Sequence, residues 1–296
     1  MIQQAERLQD SLRSLGRVVI AFSGGVDSSV VAAAAIRSGI DPVIAVTAQS
    51  ASVPEWQIKL AKTVADQIGV VHRIVGTGEV NRDDYRRNTQ RRCYFCKQTL
   101  YRALSTIVAE FPGAKIVSGT NADDLGDYRP GIEAGLHAGV LTPLADLGYG
   151  KSDVRRLARH YGLPNHDLPA SPCLASRIAY GTEVTVERLR RIERAEDYLR
   201  GFGFSELRVR LHEDEVARIE VPKEQIPTLV DLDVDGSLSA FMLDLGFKFV
   251  SLDMTGFRTG SMNRVLVNIQ TSHRDGSDGM ARDSIGKSDW HQEAIG

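Results

Sequence analysis

The segment Ser23-Gly24-Gly25-Val26-Asp27-Ser28-Ser29 has the residue types of a phosphate-binding loop. Two glycines lack Cβ atoms, so successive backbone N–H groups can face an anion, and the serines add hydroxyl donors. An apolar run precedes the segment and a small-residue run follows it, which predicts a strand before the loop and a helix after it. The helix dipole would add partial positive charge, and Asp27 is a candidate Mg²⁺ ligand. The segment lacks the Gly-Lys-Ser/Thr of a Walker loop and the spaced glycines of a dinucleotide fold, so it predicts neither.

The three cysteines of the chain are a second candidate for chemistry. Cys93 and Cys96 lie in a helix-compatible segment, where a spacing of three places both sulfurs on one face. Cys173 lies in a proline-flanked loop, and the cation of Arg177 follows it, which favours a reactive thiolate. The alternatives are a buried cysteine pair and a loop cysteine that packs as a small hydrophobe. Three thiolates cannot form a four-cysteine zinc site, although His166 could complete a zinc site of three cysteines and one histidine. Three thiolates also suit an iron–sulfur cluster with one open iron.

Polar side chains follow the strand predicted to end near Ser118. Asn121, Asp123 and Asp124 would lie at the carboxyl edge of a parallel sheet, where ligands of open α/β folds bind. We expect them near the ligand of the phosphate-binding loop or its metal ion, and the alternative is a turn that caps the next helix.

Arg208 and Arg210 alternate along a predicted strand and so project from the same face. Such a pair could grip a substrate phosphate, although two arginines on a solvated face would show the same pattern. Glu196 and Arg177 are additional candidates for the substrate pocket. The seven histidines show no metal-ligand spacing, and none is assigned a role.

Alternation of short β-branched runs with helical segments predicts an α/β fold, a parallel sheet with helices on both faces. The predicted strands are 17–22, 42–47, 71–75 and 115–118, and the helices between and after them are 28–37, 54–68, 93–110 and 152–161. A smaller α+β domain follows, with a helix at 184–201 and strands at 207–212, 216–221 and 249–253. We therefore predict domains at 1–168 and 169–268, and a disordered tail at 269–296, where Ser, Asp and Gly dominate.

Composition narrows the class of protein. The 296 residues are 42% hydrophobic and 25% charged, and no apolar stretch approaches the roughly 20 residues of a membrane helix. The N-terminus reads as an amphipathic helix and lacks the pattern of a signal peptide, so a cytoplasmic protein is expected. The net charge of −2 gives no global attraction to nucleic acid.

The loop sequence resembles the signature of the PP-loop ATP pyrophosphatases, whose members include NAD, GMP and argininosuccinate synthetases and tRNA-thiolating enzymes. The resemblance implies that the loop holds the pyrophosphate of ATP while a substrate oxygen attacks the α-phosphorus. The product is an adenylate that a second nucleophile displaces. The loop alone does not identify that nucleophile.

Residues 5–267 resemble the LarE family of ATP-dependent sulfur transferases, which help to build the nickel-pincer nucleotide cofactor of lactate racemase. The resemblance rests on several segments together: 23–29, 92–97, 119–131, 171–177, 207–210 and 260–263. It implies that ATP and Mg²⁺ adenylylate a carboxylate of pyridinium-3,5-dicarboxylate mononucleotide, AMP leaves, and a thiocarboxylate forms. It also implies a homo-oligomer and, with a cluster, a protein that supplies sulfide.

Within that family the sulfur source differs. Some members sacrifice the sulfur of the cysteine that corresponds to Cys173, which becomes dehydroalanine. Others carry cysteines at the positions of Cys93, Cys96 and Cys173 and are associated with a [4Fe-4S] cluster. Because this chain has all three, the resemblance favours the cluster form.

Three other functions fit the loop. An amidating ligase of the NAD or GMP synthetase type would use ammonia, but it needs no cysteine triad and this chain has no fused glutaminase region. A tRNA-thiolating enzyme would be expected to carry a basic surface, against which the net charge argues. A nucleotide-binding module without catalysis would release no pyrophosphate with any acceptor.

Overall fold

The computed structural model describes residues 1–126, 130–169 and 171–258. Four parallel strands form the first sheet in the order β3-β2-β1-β4, with bounds β1 Val18–Ala21, β2 Val43–Gln49, β3 Val71–Gly76 and β4 Lys115–Ser118. Strand β1 is central, and Val18 pairs with Val43 on one side and with Lys115 on the other. The predicted parallel sheet is confirmed.

Helices cover both faces of this sheet. Their bounds are α1 Ile2–Leu15, α2 Val26–Arg37, α3 Glu55–Ile68, α4 Asp83–Arg86, α5 Arg92–Val108, α6 Pro130–His137, α7 Pro143–Asp146 and α8 Lys151–His160. Val18 and Ile20 of β1 belong to the core shared with α1, α2 and α8, whereas Val19 belongs to the core shared with α5. Successive side chains of a strand point to opposite faces, so these short apolar strands support a helical layer on each side.

A second sheet lies later in the chain, in the order β5-β6-β7. Its elements are α9 Val186–Gly201, β5 Arg208–His212, β6 Val216–Glu220, α10 Ile226–Leu232, α11 Ser237–Asp244 and β7 Phe249–Leu252. Strand β6 is antiparallel to β5 and parallel to β7, and α9 packs its apolar stripe, including Leu189, Ile192 and Leu199, into the core of this half. This is the α+β arrangement expected from the sequence.

Residues 1–257 form one compact unit that contains both sheets. A division near residue 168 separates the two sheets, but two independent domains stay a prediction. The predicted tail at 269–296, residues 127–129 and residues 260–263 lie outside the described residues. Within the described part of the chain, no helix has the length and apolar character needed to cross a membrane.

Candidate active site

The phosphate-binding loop connects β1 to α2 at the carboxyl edge of the parallel sheet, and α2 begins inside the motif at Val26. Gly24 has φ +71°, a left-handed conformation that glycine adopts without strain. A Cβ built on Gly24 would lie 2.7 Å from the Cα of Ala61 in α3. Glycine is therefore required here both for backbone conformation and for space.

The N-terminus of α2 lies inside the loop, and Val26, Ser28 and Ser29 of its first turn are buried. Among the described residues, no side chain caps its N-terminus at Gly25. The hydroxyls of Ser28 and Ser29 instead donate to the carbonyl oxygen of Gly25, at 3.0 and 2.9 Å. The first N–H groups of a helix lack intrahelical partners, and together with the helix dipole they form an anion site. This helix end is therefore where a phosphate would bind, and phosphate binding by the loop residues stays a prediction.

Asp27 lies at this helix end between an amide and a cation. Its Oδ1 accepts a hydrogen bond from Nδ2 of Asn121 at 3.1 Å, and its Oδ2 lies 2.5 Å from Nζ of Lys151. Asn121 is buried, and the side chains of Asp27 and Lys151 are both half-buried. A carboxylate and a cation therefore lie together beside the first turn of α2.

The two other predicted acidic residues, Asp123 and Asp124, accept hydrogen bonds from backbone N–H groups of this edge. Asp123 Oδ2 accepts from the backbone N–H of Lys151 at 2.7 Å, at the N-terminus of α8. Asp124 Oδ2 accepts from the backbone N–H of Asn121 at 3.1 Å. The structure therefore brings Asn121, Asp123 and Asp124 to the loop, and direct contact of these side chains with ATP or metal stays a prediction.

Sequence reasoning missed three residues of this edge. Lys151 opens α8, where a cation opposes the helix dipole, and that conflict was the available signal. Buried Asn165 donates from Nδ2 to the carbonyl oxygen of Gly24 at 2.7 Å and to Ser29 Oγ at 2.9 Å, and no periodicity marks it. A Cβ at Gly119 would lie 2.6 Å from the backbone nitrogen of Ser28, so this glycine lets β4 pass close to α2.

Near the N-terminus of α5, Cys96 interacts electrostatically with both Cys93 and Cys173. Cys93 is exposed, and Cys96 and Cys173 are half-buried against the same hydrophobic core. Burial raises the pKa of the Cys96 thiol, and Cys173 and Glu79 raise it further. Burial would lower the pKa of Arg92, but the Cys173 and Cys93 sulfurs raise it. Within the described ranges, no group of three or more His, Cys, Asp or Glu side chains is arranged to hold a single metal ion.

The backbone around Cys173 is anchored at the carboxyl edge of the parallel sheet. The N–H of Leu174 donates to the carbonyl oxygen of Ser52 at 2.8 Å, three residues after β2 ends. The hydroxyl of buried Tyr85 lies 2.6 Å from Ser52 Oγ. Because β1 and β2 are parallel neighbours, their carboxyl ends share one edge, and the Cys173 loop and the phosphate loop lie on that same edge.

Arg177 and Glu196 hold the same loop from the other side. Both side chains are about 1% exposed and form an ion pair, with Nε of Arg177 2.9 Å from Oε1 of Glu196. Arg177 Nη1 also donates to the carbonyl oxygen of Cys173 at 3.0 Å, and Glu196 Oε1 accepts from the N–H of Val209 at 3.2 Å. Ion pairing with Arg177 outweighs burial and lowers the pKa of Glu196. These contacts give the pair a positioning role, and contact with substrate stays a prediction.

The two arginines of β5 differ in their surroundings. Arg210 is buried and donates to Oε2 of Glu220 at 2.9 and 3.1 Å and to the carbonyl oxygen of Ser176 at 3.1 Å. Arg208 is half-buried, and its guanidinium lies 5.1 Å from the ring centre of Phe257. Burial, with the nearby Arg177 cation, lowers the pKa of Arg208 to about 10. Arg208 is therefore a charged group in a cationic neighbourhood, as an anion site requires, and the phosphate contact stays a prediction.

Comparison with known proteins gives two kinds of match. A family model described as asparagine synthase matches residues 5–107, which include the phosphate-binding loop. The chain is also 31% identical over 212 residues to the tRNA-specific 2-thiouridylase MnmA of Azorhizobium caulinodans, covering 59% of this chain and 54% of that protein. The range matched by the family model includes the loop, and both kinds of protein are named for enzymes.

Two relatives match along nearly their whole length. The chain is 42% identical over 261 residues to the uncharacterized protein slr1717 of Synechocystis sp., covering 88% of this chain and 97% of that protein. It is 36% identical over 261 residues to the pyridinium-3,5-bisthiocarboxylic acid mononucleotide synthase of Lactiplantibacillus plantarum, covering 88% of this chain and 94% of that protein. The aligned length includes both sheets, so the chain belongs to the LarE family, that of pyridinium-3,5-bisthiocarboxylic acid mononucleotide synthase, and carries its ATP-using PP-loop fold.

Proposed function

We propose that this chain is an ATP-dependent sulfur transferase that converts a carboxylate of pyridinium-3,5-dicarboxylate mononucleotide into a thiocarboxylate. The observation that carries the proposal is the hydrogen bond from the N–H of Leu174 to the carbonyl oxygen of Ser52, which anchors the Cys173 loop at the same sheet edge as the phosphate loop. A nucleotide-activating loop and a sulfur-bearing loop on one edge suit a two-step reaction.

In the first step a carboxylate oxygen of the acceptor attacks the α-phosphorus of ATP. The bond to the β-phosphate breaks, pyrophosphate leaves, and an acyl adenylate remains. The N–H groups at the start of α2 and the cation of Lys151 would stabilise the negative charge on the departing phosphates. Asp27 would bind the Mg²⁺ that accompanies ATP, because carboxylate oxygen is a ligand that Mg²⁺ prefers.

In the second step a sulfur nucleophile attacks the acyl carbon and AMP leaves with the bonding electron pair. The cations of Arg92 and Lys97 both interact electrostatically with the cysteines, so they favour negative charge on sulfur. Arg208 and Arg210 would hold the phosphate of the acceptor. The proposal also includes assembly of this chain into a homo-oligomer and a partner protein that supplies the sulfide.

The finer part of the proposal is that Cys93, Cys96 and Cys173 hold a [4Fe-4S] cluster. Three free thiols that interact electrostatically support this proposal, and the thiolates of a cubane bind separate irons, so they need not converge on one ion. The open iron of such a cluster would supply bound sulfide. Because burial raises the pKa of Cys96, cluster binding must release a proton from that thiol.

An anaerobic assay tests the proposal. Protein purified without oxygen is incubated with ATP, Mg²⁺ and the dicarboxylate mononucleotide, and pyrophosphate, AMP and the acceptor mass are measured. We expect release of pyrophosphate that depends on the acceptor, and an acceptor mass that reports exchange of oxygen for sulfur. The same protein should contain iron and sulfide. Pyrophosphate release without the acceptor, or no mass change, would contradict the function.

Two outcomes separate the alternatives within this assay. Conversion of Cys173 to dehydroalanine in iron-free, fully active protein would replace the cluster with the sacrificial cysteine and leave the sulfur transfer intact. A second candidate function is amidation, since the family model that matches residues 5–107 is described as asparagine synthase. Formation of an amide with added ammonia, in place of the thiocarboxylate, would support it.

A further inference from the structure

Two buried side chains tie the segment after Cys173 to the N-terminal end of α5. Asn88 is fully buried just before α5, and Arg92 is 4% exposed at its first residue. Nδ2 of Asn88 donates to the carbonyl oxygens of Ala179 and Thr182, both at 2.8 Å. One amide group thus fixes two points of the loop that leaves the cysteine segment.

Arg92 completes the connection closer to Cys173. Its Nη1 donates to Oδ1 of Asn88 and to the carbonyl oxygen of Ala175, the latter at 2.8 Å. Among the described residues, both hydrogen-bond acceptors of Arg92 are neutral oxygens. Burying a guanidinium without a carboxylate partner costs folding free energy. We therefore expect Arg92 to have a role at the neighbouring cysteines.

The backbone at Asn88 adds a second constraint. Asn88 has φ +51°, in the left-handed region that asparagine tolerates better than most residues. Its carbonyl oxygen accepts a hydrogen bond from the N–H of Gly181 at 3.2 Å, so the main chain and the side chain of Asn88 both bind the loop at 179–182. Since Cys93 and Cys96 lie in the first turns of α5, these hydrogen bonds fix the position of both cysteines relative to the segment that follows Cys173.

We propose that Asn88 and Arg92 are positioning residues that set the separation between Cys173 and the cysteine pair of α5, and that sulfur delivery depends on it. The inference rests on the proposed sulfur transfer. Neither residue is assigned to ATP or to the acceptor, so adenylylation should not depend on them. The step expected to fail without them is the second one, in which sulfur displaces AMP.

A thiol cross-linker measures this separation without substrate. In the full-length chain with Cys93→Ser, reduced and metal-free, dibromobimane becomes fluorescent only when it joins Cys96 to Cys173. We expect Arg92→Met and Asn88→Gly to lower the cross-linking rate by about tenfold relative to the rate at which monobromobimane labels single thiols, the scale of one charge-assisted hydrogen bond. Glycine keeps the left-handed turn at position 88, so that variant removes the grip and spares the backbone.

The control variant changes the adjacent arginine, Arg91, and the rescue variant keeps a positive charge at position 92. Arg91 pairs with Glu133 at 3.0 Å on the exposed side of the same helix end, so Arg91→Met should cross-link at the wild-type rate. Arg92→Lys should restore part of the rate, because one ammonium can donate to both acceptor oxygens. Thermal unfolding and ATP affinity identify variants that are folded.

With cysteine 93 restored, the same variants are assayed for both reaction steps. We expect wild-type pyrophosphate release with a thiocarboxylate yield about tenfold lower in Arg92→Met and Asn88→Gly. Unchanged cross-linking in folded Asn88→Gly and Arg92→Met would overturn the positioning role, as would equal loss of both steps. Absence of pyrophosphate release in the wild-type protein would instead refute the proposed function, and the cross-linking result would still stand by itself.

Discussion

Replacing Gly24 by alanine should disable the phosphate-binding loop while leaving the chain folded. The new Cβ would lie 2.7 Å from the Cα and 3.0 Å from the nitrogen of Ala61. Both are backbone atoms of α3, so no side chain can rotate away. To reach an ordinary contact of 3.4 Å the loop must retreat from α3 by roughly 0.7 Å.

The expected magnitude follows from two separate costs. Alanine at φ +71° costs about 1 kcal/mol of folding free energy, and the contact with α3 adds about 1 to 3 kcal/mol. The displacement matters more for chemistry, because an error of about 1 Å in catalytic geometry can lower a rate about 100-fold. We therefore expect pyrophosphate release to fall by about 100-fold while the protein stays folded.

Gly39→Ala is the matched control. Gly39 also has positive φ, +76°, but a Cβ there would meet nothing within 4 Å. It should cost about 1 kcal/mol in urea unfolding and leave pyrophosphate release unchanged. If Gly24→Ala released pyrophosphate at the Gly39→Ala rate, the close approach of the loop to α3 would not govern catalysis, and the reasoning would be refuted.

Three further substitutions test other parts of the site. Lys151→Met removes the cation beside Asp27 and should weaken ATP binding by about tenfold in calorimetry; unchanged affinity would remove Lys151 from the nucleotide site. Arg208→Ala should weaken acceptor binding by about 1 to 3 kcal/mol and spare ATP binding, and the reverse pattern would contradict its role. The lowered pKa of Glu196 means that its ion pair with Arg177 stabilises the fold above pH 4.5 and loses that effect as pH falls through the folded-state pKa. Glu196→Gln should therefore be about 3 kcal/mol less stable at pH 7, and the difference from wild type should shrink in urea titrations at acidic pH; a constant difference would exclude this linkage.

Much of the fold could be predicted because local patterns determine it. The strand 115–118 was predicted with its observed bounds, and the helix predicted at 54–68 spans Glu55–Ile68. Helices α6 and α7 were not predicted. At the loop, α2 begins at Val26 rather than at Ser28, since this helix start lacks the side-chain cap that marks one in a sequence.

The site was harder to predict, because its contacts join distant parts of the chain. Arg177 and Glu196 were considered for a substrate pocket, and only packing shows that they form a buried ion pair that holds the Cys173 loop. Lys151 was missed because its partner, Asp27, lies 124 residues earlier in the chain. A lysine at a helix start opposes the helix dipole, but many such lysines are solvated, so this signal alone does not select Lys151.

The sequence by itself determined the phosphate-binding loop, since two glycines, a carboxylate and serines between a buried strand and a helix specify a local structure with its own anion site. It also determined that two sulfurs share one face of α5, because helical periodicity relates residues three apart. Only the tertiary structure decided how Cys173 reaches them. The N–H of Leu174 donates to the carbonyl oxygen of Ser52, and Arg92 donates to the carbonyl oxygen of Ala175. These hydrogen bonds join distant parts of the chain and stabilise it only when burial excludes competing water.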